Sequence, residues 1–303
     1  MTLPLSSPDA VVLGTNTMDA TAAFLQNLGF TETSKTVLSS DAAQALYGLT
    51  GEAEQRTYAV RDASGQSLPG RIRLVHTDEE PLEYNAYRTG GHAIDVYCLD
   101  QEKGSLLARE GGAEVGETAV FKTAFFTMSG TFCIIPGGGP VVLLSAERRL
   151  PSVLDDDPSR LHSQVHSLIW IVPELAPSLE FFAAAGLPET RRNVFGPDPD
   201  VAALMALPEP APFSMALLAD AAMTPSRLEL LAFDTPDVPL VPDPGRPLRP
   251  GQMVLSFSVA SLPAARTLLA RHGASFGATA AAGDAQAVTG LAPGGIWLEL
   301  RAR

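Results

Sequence analysis

Four short apolar runs along the chain are each followed by a segment in which apolar side chains recur at helical spacing. The runs are AVVLGT at 10–15, IDVYCL at 94–99, SLIWIV at 167–172 and VLSFSV at 254–259. The segments after them predict helices at 18–28, 101–110, 174–185 and 262–272. Shorter β-rich runs, divided by turn residues, fill the rest of the chain. We therefore predict four modules, each made of a strand, a helix and further strands.

Glycines mark the ends of the predicted helices. The stretches AAFLQNLGF and SLEFFAAAGL break at Gly29 and Gly186, because glycine accepts the left-handed conformation that ends many helices. The helix at 262–272 has the fullest signature, with Pro263 in its first turn, leucines at helical spacing and Gly273 as its stop. These signals place the helix ends independently of the apolar spacing.

The second half of the chain repeats the order of the first. AAFLQNLGF matches SLEFFAAAGL, GRIRLVHTDEEP matches SRLELLAFDTP, SLLAREGGAEVG matches TLLARHGASFG, and PGGGPVVLL matches APGGIWLEL. The aligned glycines or prolines of these four pairs are 157, 155, 161 and 156 residues apart. Four matches in one order at a nearly constant offset indicate a duplication. We predict two domains, at 1–149 and 161–303, joined by a polar linker at 150–160.

Composition narrows the class of protein without choosing a function. The 303 residues are 46% apolar and 18% charged, which favours folded domains, and a formal net charge of −13 makes nucleic acid a poor partner. No apolar run is long enough to span a bilayer, and the first residues lack the pattern of a signal peptide. We therefore expect a cytoplasmic protein that binds neither nucleic acid nor membrane. Cys98 and Cys133 are expected to be buried small side chains.

A module of this kind occurring four times resembles the vicinal-oxygen-chelate superfamily, which includes glyoxalases, bleomycin-resistance proteins and extradiol dioxygenases. The stretches that carry the resemblance are AAFLQNLGF, GRIRLVHTDEEP, SLEFFAAAGL, SRLELLAFDTP and APGGIWLELRA, and together they sample nearly the whole chain. The resemblance implies an α+β fold in which four βαβββ modules form two half-open, eight-stranded barrels. It also implies a divalent metal on a concave face, held by the first and last strands of the modules and chelating two neighbouring substrate oxygens.

The ligand positions implied by the resemblance point to a metal site in the C-terminal domain. They fall on His166 in the first strand of the third module, on Glu229 in its last strand and on Glu299 in the last strand of the fourth. The first strand of the fourth module departs from the pattern, because its ligand position is Val254. One imidazole and two carboxylates are enough to hold Mn, Fe, Ni, Co or Zn. In glyoxalase-type relatives one carboxylate acts as a base, so Glu229 and Glu299 are also the candidate catalytic residues.

The alternation of side chains along the strand supports His166 as a ligand. His166 shares one face with Leu168 and Trp170, whereas Ile169 and Ile171 share the other. Because the two isoleucines suit packing against the helix, we expect His166 to face the barrel.

The N-terminal domain is expected to have a degenerate site without metal. Its four ligand positions fall on Asp9, Arg73, Ala93 and Leu143. Arg73 would put a cation where a metal cation should bind, and neither Ala93 nor Leu143 can be a ligand.

The pairing of the modules leaves two arrangements open. The linker favours sequential pairing, one with two and three with four, whereas some four-module relatives pair module two with module three. The second arrangement would bring together His92, His166 and Glu229. Strand alternation places Asp95 and Tyr97 on the barrel side and His92 on the helix side, so His92 would need a β-bulge to face the barrel.

Two functions follow from the resemblance. One is a metal-dependent enzyme of the isomerase, epimerase or lyase type, which stabilises an enolate of a small substrate with vicinal oxygens. An extradiol dioxygenase is disfavoured, because such enzymes use two histidines and one glutamate. The alternative is a metal-free binding protein of the drug-sequestering kind, which the lost ligand positions favour. Both functions take a small molecule as partner, and both are compatible with a homodimer.

Overall fold

The first half of the chain contains two modules. A computed structural model describes residues 5–81, 83–122, 127–234 and 247–302. The first module comprises β1 (Ala10–Thr15), α1 (Met18–Asn27), β2 (Thr31–Leu38), α2 (Ser40–Tyr47), β3 (Ala53–Ala59) and β4 (Arg71–His76). The second comprises β5 (Gly90–Cys98), α3 (Gln101–Glu110), β6 (Glu114–Lys122), β7 (Thr127–Ile134) and β8 (Pro140–Ala146).

The second half contains two further modules after the short helix α4 (Val153–Asp156). The third module comprises β9 (His162–Ile171), α5 (Leu175–Ala185), β10 (Glu189–Phe195), α6 (Pro199–Leu204), β11 (Phe213–Leu218) and β12 (Arg227–Phe233). The fourth comprises β13 (Met253–Ser258), α7 (Leu262–Arg271), β14 (Ser275–Phe276), β15 (Ala280–Ala282), β16 (Ala285–Ala292) and β17 (Ile296–Ala302). None of the described helices is both long and apolar enough to cross a bilayer.

The four predicted helices are confirmed as α1, α3, α5 and α7. Gly186 ends α5 in the left-handed conformation, and the Ser261 hydroxyl caps α7 by accepting from the Ala264 amide. The structure adds α2, α4 and α6, which the apolar spacing did not predict. Helix α2 has clear local signals, because the Ser39 side chain accepts from the Ala42 amide and Gly48 is left-handed.

The strands form two curled sheets, and each sheet takes one module from each half of the chain. Sheet 1 has the order β14-β16-β17-β13-β1-β4-β3-β2, with β15 on β16, so it joins modules one and four. Sheet 2 has the order β10-β11-β12-β9-β5-β8-β7-β6, so it joins modules two and three. The central pairs, β1 with β13 and β5 with β9, are antiparallel. The sequential pairing favoured by the sequence is therefore wrong, and the alternative pairing is correct.

The segment 150–160 packs at the junction between modules two and three. Val153 and Leu154 in α4 are buried, and the Val153 amide donates to the side chain of Gln164 at 3.0 Å. The Leu150 amide donates to the hydroxyl of Tyr97 on β5 at 3.0 Å. The segment thus packs where β5 meets β9 and joins two neighbouring modules. The boundaries at 149 and 161 mark the repeat in the sequence, but they do not separate the two sheets.

The faces of β9 are reversed relative to the prediction from alternation. Leu168 and Trp170 belong to the core that joins both sheets to α1, α3, α5 and α7. Ile169 and Ile171 belong to a separate core on the concave face of sheet 2. A third core fills the concave face of sheet 1. The position of His166 therefore needs a separate explanation.

Candidate functional site

The concave face of sheet 1 is filled by helix α2. Ala43, Leu46 and Tyr47 pack against Val12 and Val254 in a hydrophobic core. The Leu46 carbonyl also accepts a hydrogen bond from the Thr289 hydroxyl at 2.7 Å. Helix α2, which lies between β2 and β3 in the chain, thus fills the concave face of this sheet.

Glu299 is held in an ion pair under α2, so it does not join the predicted metal site. Its carboxylate pairs with the Arg73 guanidinium and accepts from the hydroxyls of Tyr47 and Ser256, the latter at 2.7 Å. Burial by itself would raise the pKa of Glu299, but Arg73 and Arg301 outweigh it and hold that pKa below its ordinary value. The prediction that Glu299 shares one site with His166 and Glu229 is wrong, because sheet 1 carries Glu299 and sheet 2 carries the other two.

The concave face of sheet 2 encloses a cavity of about 540 Å³. Its walls are mainly apolar and include Phe121, Met128, Val142, Leu144, Phe213 and Leu231. Val201 and Leu204 of α6 also line it. Its polar lining residues include Asp95, Tyr97, His166 and Glu229. We call these four residues the polar floor of the sheet 2 cavity.

A β-bulge places His166 in this cavity. Asp95 pairs with Ser167 and Val96 pairs with Val165, so His166 is the extra residue between them. His166 and Ile169 both line the cavity, although regular alternation would place residues three apart on opposite faces of the strand. The cavity position predicted for His166 is confirmed, although the bulge produces it and the expected alternation does not.

Arg227 fixes the protonation state of the His166 ring. Arg227 is fully buried at the start of β12, and its guanidinium lies 3.0 Å from His166 Nδ1. Because a guanidinium can only donate, Nδ1 must accept, and the neutral ring then carries its hydrogen on Nε2. Burial, with help from the charge of Arg227, lowers the pKa of His166 to about 3. His166 is therefore neutral near pH 7 and has a donor at Nε2.

Asp95 and Glu229 form an acidic pair in the polar floor. The Ser167 hydroxyl donates to Asp95 Oδ2 at 2.9 Å, whereas Oδ1 is buried and has no hydrogen-bond partner within the described chain. Burial raises the pKa of Asp95 well above its ordinary value, and the charge of Glu229 adds to the effect. Burial also raises the pKa of Glu229, against the opposing effects of Ser167 and Arg227. The two carboxyl groups thus resist being ionised together.

His92 lies on a second bulge and also lines the sheet 2 cavity. Gly91 pairs with Trp170 and Ala93 with Ile169, so His92 is the extra residue of β5. This is the bulge that the alternative pairing required. The ring lies 5.9 Å from the Phe132 ring, and burial lowers the pKa of His92 to about 4. The alternative set of His92, His166 and Glu229 therefore shares one cavity.

The donor set of the sheet 2 cavity does not fit a divalent metal. A histidine that binds metal through one nitrogen usually donates its other N–H to a carboxylate or carbonyl. His166 has the reverse arrangement, because Arg227 donates to Nδ1 and Nε2 keeps its hydrogen. Within residues 5–81, 83–122, 127–234 and 247–302, no three His, Cys, Asp or Glu side chains are grouped so that they could hold a metal ion.

Sequence reasoning missed two residues that determine the chemistry of this site. Ser167 has the same parity as Ile169 and Ile171, so alternation predicts that it faces the helix, and Arg227 was not singled out although it lies two residues before Glu229 on the same strand. The period-two spacing of Arg227 and Glu229 was the available signal. The cavity positions expected for Asp95 and Tyr97 are confirmed.

Comparisons with known proteins identify the fold. No protein-family model matches the chain, and no curated protein matches it. A variant of glyoxalase I from Zea mays superposes with a TM-score of 0.65 at 13% identity, covering 98% of this chain and 92% of that one. A Bacillus subtilis protein with a provisional dioxygenase assignment gives a TM-score of 0.63 at 9% identity, covering 99% and 86%. The chain has the vicinal-oxygen-chelate fold, with four modules in tandem, as the sequence predicted.

Proposed function

We propose that this chain binds a small organic molecule in the sheet 2 cavity without using a divalent metal. The observation that carries the proposal is a polar floor under apolar walls, in which Arg227 keeps His166 a hydrogen-bond donor. This function is the metal-free binding protein that the lost ligand positions favour, and not the metal-dependent enzyme.

The size and lining of the cavity support a small-molecule ligand. A volume of about 540 Å³ lies within the range of roughly 300–1,000 Å³ that is usual for such sites. Met128, Met205 and Met215 add flexible apolar surface that can adapt to a ligand. The polar floor offers donors and acceptors that would orient one end of the ligand.

A metal-dependent isomerase, epimerase or lyase fits these residues less well. That chemistry would need a lone pair on His166 and a second carboxylate from the fourth module. Arg227 donates a hydrogen bond to Nδ1 of His166, and Glu299 is paired with Arg73 under α2. We therefore place ligand binding ahead of the metal-dependent reaction.

Filling the cavity is expected to abolish binding. Ala146, at the end of β8, lines the cavity, and Ala146→Phe would place a ring in the ligand's volume. We expect small aromatic and aliphatic fragments to bind the wild-type chain in the presence of EDTA and to lose at least about tenfold in affinity in the variant, since a filled pocket forfeits most apolar burial. Ligand-detected NMR measures both.

Ala302→Phe is the matched control, because Ala302 is a partly exposed alanine that ends β17 on the other sheet. The control should bind fragments like the wild type, and thermal unfolding checks that both variants fold. Equal binding by wild type and Ala146→Phe, or binding that EDTA removes, would contradict the proposal.

A further inference from the structure

We infer that the ligand of the sheet 2 cavity carries a protonated amine, which Asp95 and Glu229 bind together at the polar floor. The inference rests on the proposed function and names the chemical class of its ligand. It follows from the buried carboxyl group of Asp95 and the half-buried carboxyl group of Glu229, which face one mainly apolar cavity and form no ion pair within the described residues.

Asp95 shows an unmet need for a hydrogen-bond donor. Its side chain is 4% exposed and lines the cavity, and its Oδ1 atom has no partner within the described residues. Buried acceptors are almost always satisfied, because leaving one unpaired gives up the hydrogen bonds it would make to water. A ligand that enters the cavity with an N–H or O–H group can supply this donor.

Neither carboxyl group has an ion-pair partner in the described part of the chain, and the nearby cations are committed elsewhere. Arg227 donates to His166 and to the carbonyls of Pro151 and Met223. Arg149 pairs with Asp155 at 3.2 Å. The remaining cations at the cavity, Arg148 and Arg191, are exposed, so water and salt screen their charge.

The histidines around the acidic pair do not supply a counter-charge near neutral pH. The titratable groups that face it are His92, Tyr97 and His166, with Arg227 behind them. Burial lowers the pKa of His92 to about 4 and that of His166 to about 3, so both rings are neutral. Burial raises the pKa of Tyr97 to about 12, so its phenol is neutral too.

An organic ammonium group suits the acidic pair of Asp95 and Glu229 better than a divalent metal ion does. It brings one positive charge and up to three N–H donors, which suits two carboxylates and a neighbouring hydroxyl. Its apolar body would lie along the apolar walls. A divalent metal would instead need a set of three or more grouped ligands, which the described residues do not form.

Amine binding should release a proton. Burial raises the pKa of both carboxyl groups, so the cavity favours their protonated forms when no ligand is bound. An incoming R–NH3⁺ favours the doubly ionised pair, and the proton leaves to solvent while the ammonium keeps its own. Affinity for the amine should therefore increase with pH until the amine itself loses its proton.

The test compares matched probes by isothermal titration of the full chain in EDTA. 2-Phenylethylamine and 2-phenylethanol differ only in the polar end. We expect the amine to bind at least about tenfold more tightly than the alcohol, and titrations in two buffers of different ionisation enthalpy should show proton release.

Variants of the acidic pair sharpen the test. Asp95→Asn and Glu229→Gln should each weaken the amine by at least about tenfold and leave the alcohol within about threefold, so alcohol binding also shows that each variant is folded. Glu180→Gln, on the exposed face of α5, is the control and should change neither probe.

Two outcomes overturn the inference, and they are distinguishable. If amine and alcohol bind equally, or if neither acidic variant weakens the amine, the amine assignment is wrong while cavity binding stands. If no fragment or probe binds the wild type, the proposed function fails and the inference falls with it.

Discussion

Replacing Arg73 by methionine is expected to lower the free energy of unfolding by up to about 3–5 kcal/mol, because Glu299 would lose its nearest counter-charge in the core and keep only Arg301, at 3.6 Å. Arg73 and Glu299 are both almost completely buried, and α2 covers them. Without Arg73, the pKa of Glu299 should rise, because burial would then be opposed only by Arg301 and by the hydrogen bonds from Tyr47 and Ser256. The loss should therefore be largest at neutral pH and shrink in mild acid, where the carboxyl group can protonate. Urea unfolding at the two pH values measures it.

Two further variants separate the buried pair from charge loss in general. Arg71 lies on the same strand and makes a partly exposed pair with Asp9 at 3.5 Å, so Arg71→Met should cost less than about 1 kcal/mol. The double variant Arg73→Met/Glu299→Gln should recover much of the loss, because it removes both members of the buried ion pair. Equal losses for Arg71→Met and Arg73→Met would contradict the assignment of the pair to the core of sheet 1.

Replacing Arg227 by methionine is expected to raise the pKa of His166 and to free its Nδ1 atom. Two causes lower the pKa of His166 from 6.5 to about 3, burial first and the charge of Arg227 second, so removing the charge should raise it only in part. The variant should also lose about 1–3 kcal/mol, because the carbonyls of Pro151 and Met223 lose a donor. NMR titration of ¹⁵N-labelled imidazole reports the pKa and shows which nitrogen carries the hydrogen.

The same change should alter the acid sensitivity of folding. A histidine whose pKa is lower in the folded chain gains a proton first in the unfolded chain, so the contribution of His166 is lost as pH falls from 6.5 towards 3. In Arg227→Met the pKa of His166 in the folded chain should be higher, so this loss of stability should be complete at a higher pH. Arg192→Met, which removes an exposed arginine of β10 paired with Glu189, should leave His166 unchanged. A wild-type ring with its hydrogen on Nδ1 would contradict the role given to Arg227.

The modules and their main helices could be predicted from sequence because their signals are local. The repeat, the apolar spacing and stops such as Gly186 lie within short stretches of chain. Module pairing could not be predicted, because modules two and three are as close along the chain as modules three and four. The contacts of Leu150 and Val153 that accompany the observed pairing depend on the folded surface of β5 and β9, which no local pattern shows.

The candidate site was harder to predict, because similar local sequence patterns end up in different surroundings in the folded chain. Glu229 and Glu299 each stand between leucines near the end of a module. Glu299 is neutralised by Arg73, which lies more than two hundred residues away, whereas Glu229 faces a cavity that no helix fills. His166 shows the same limit. Because His166 is itself the bulged residue of β9, it faces the cavity, whereas regular alternation would place it on the face of Leu168 and Trp170.

The central claim is that the sheet 2 cavity binds its ligand without a metal, and metal content tests it most directly. The full chain would be equilibrated with Mn²⁺, Ni²⁺ or Zn²⁺, separated from free ions and assayed for metal, beside Glu229→Gln and His166→Ala. The account predicts no stoichiometric metal in any of the three proteins, with fragment binding intact in the wild type. One ion bound per wild-type chain and lost in both variants would contradict it.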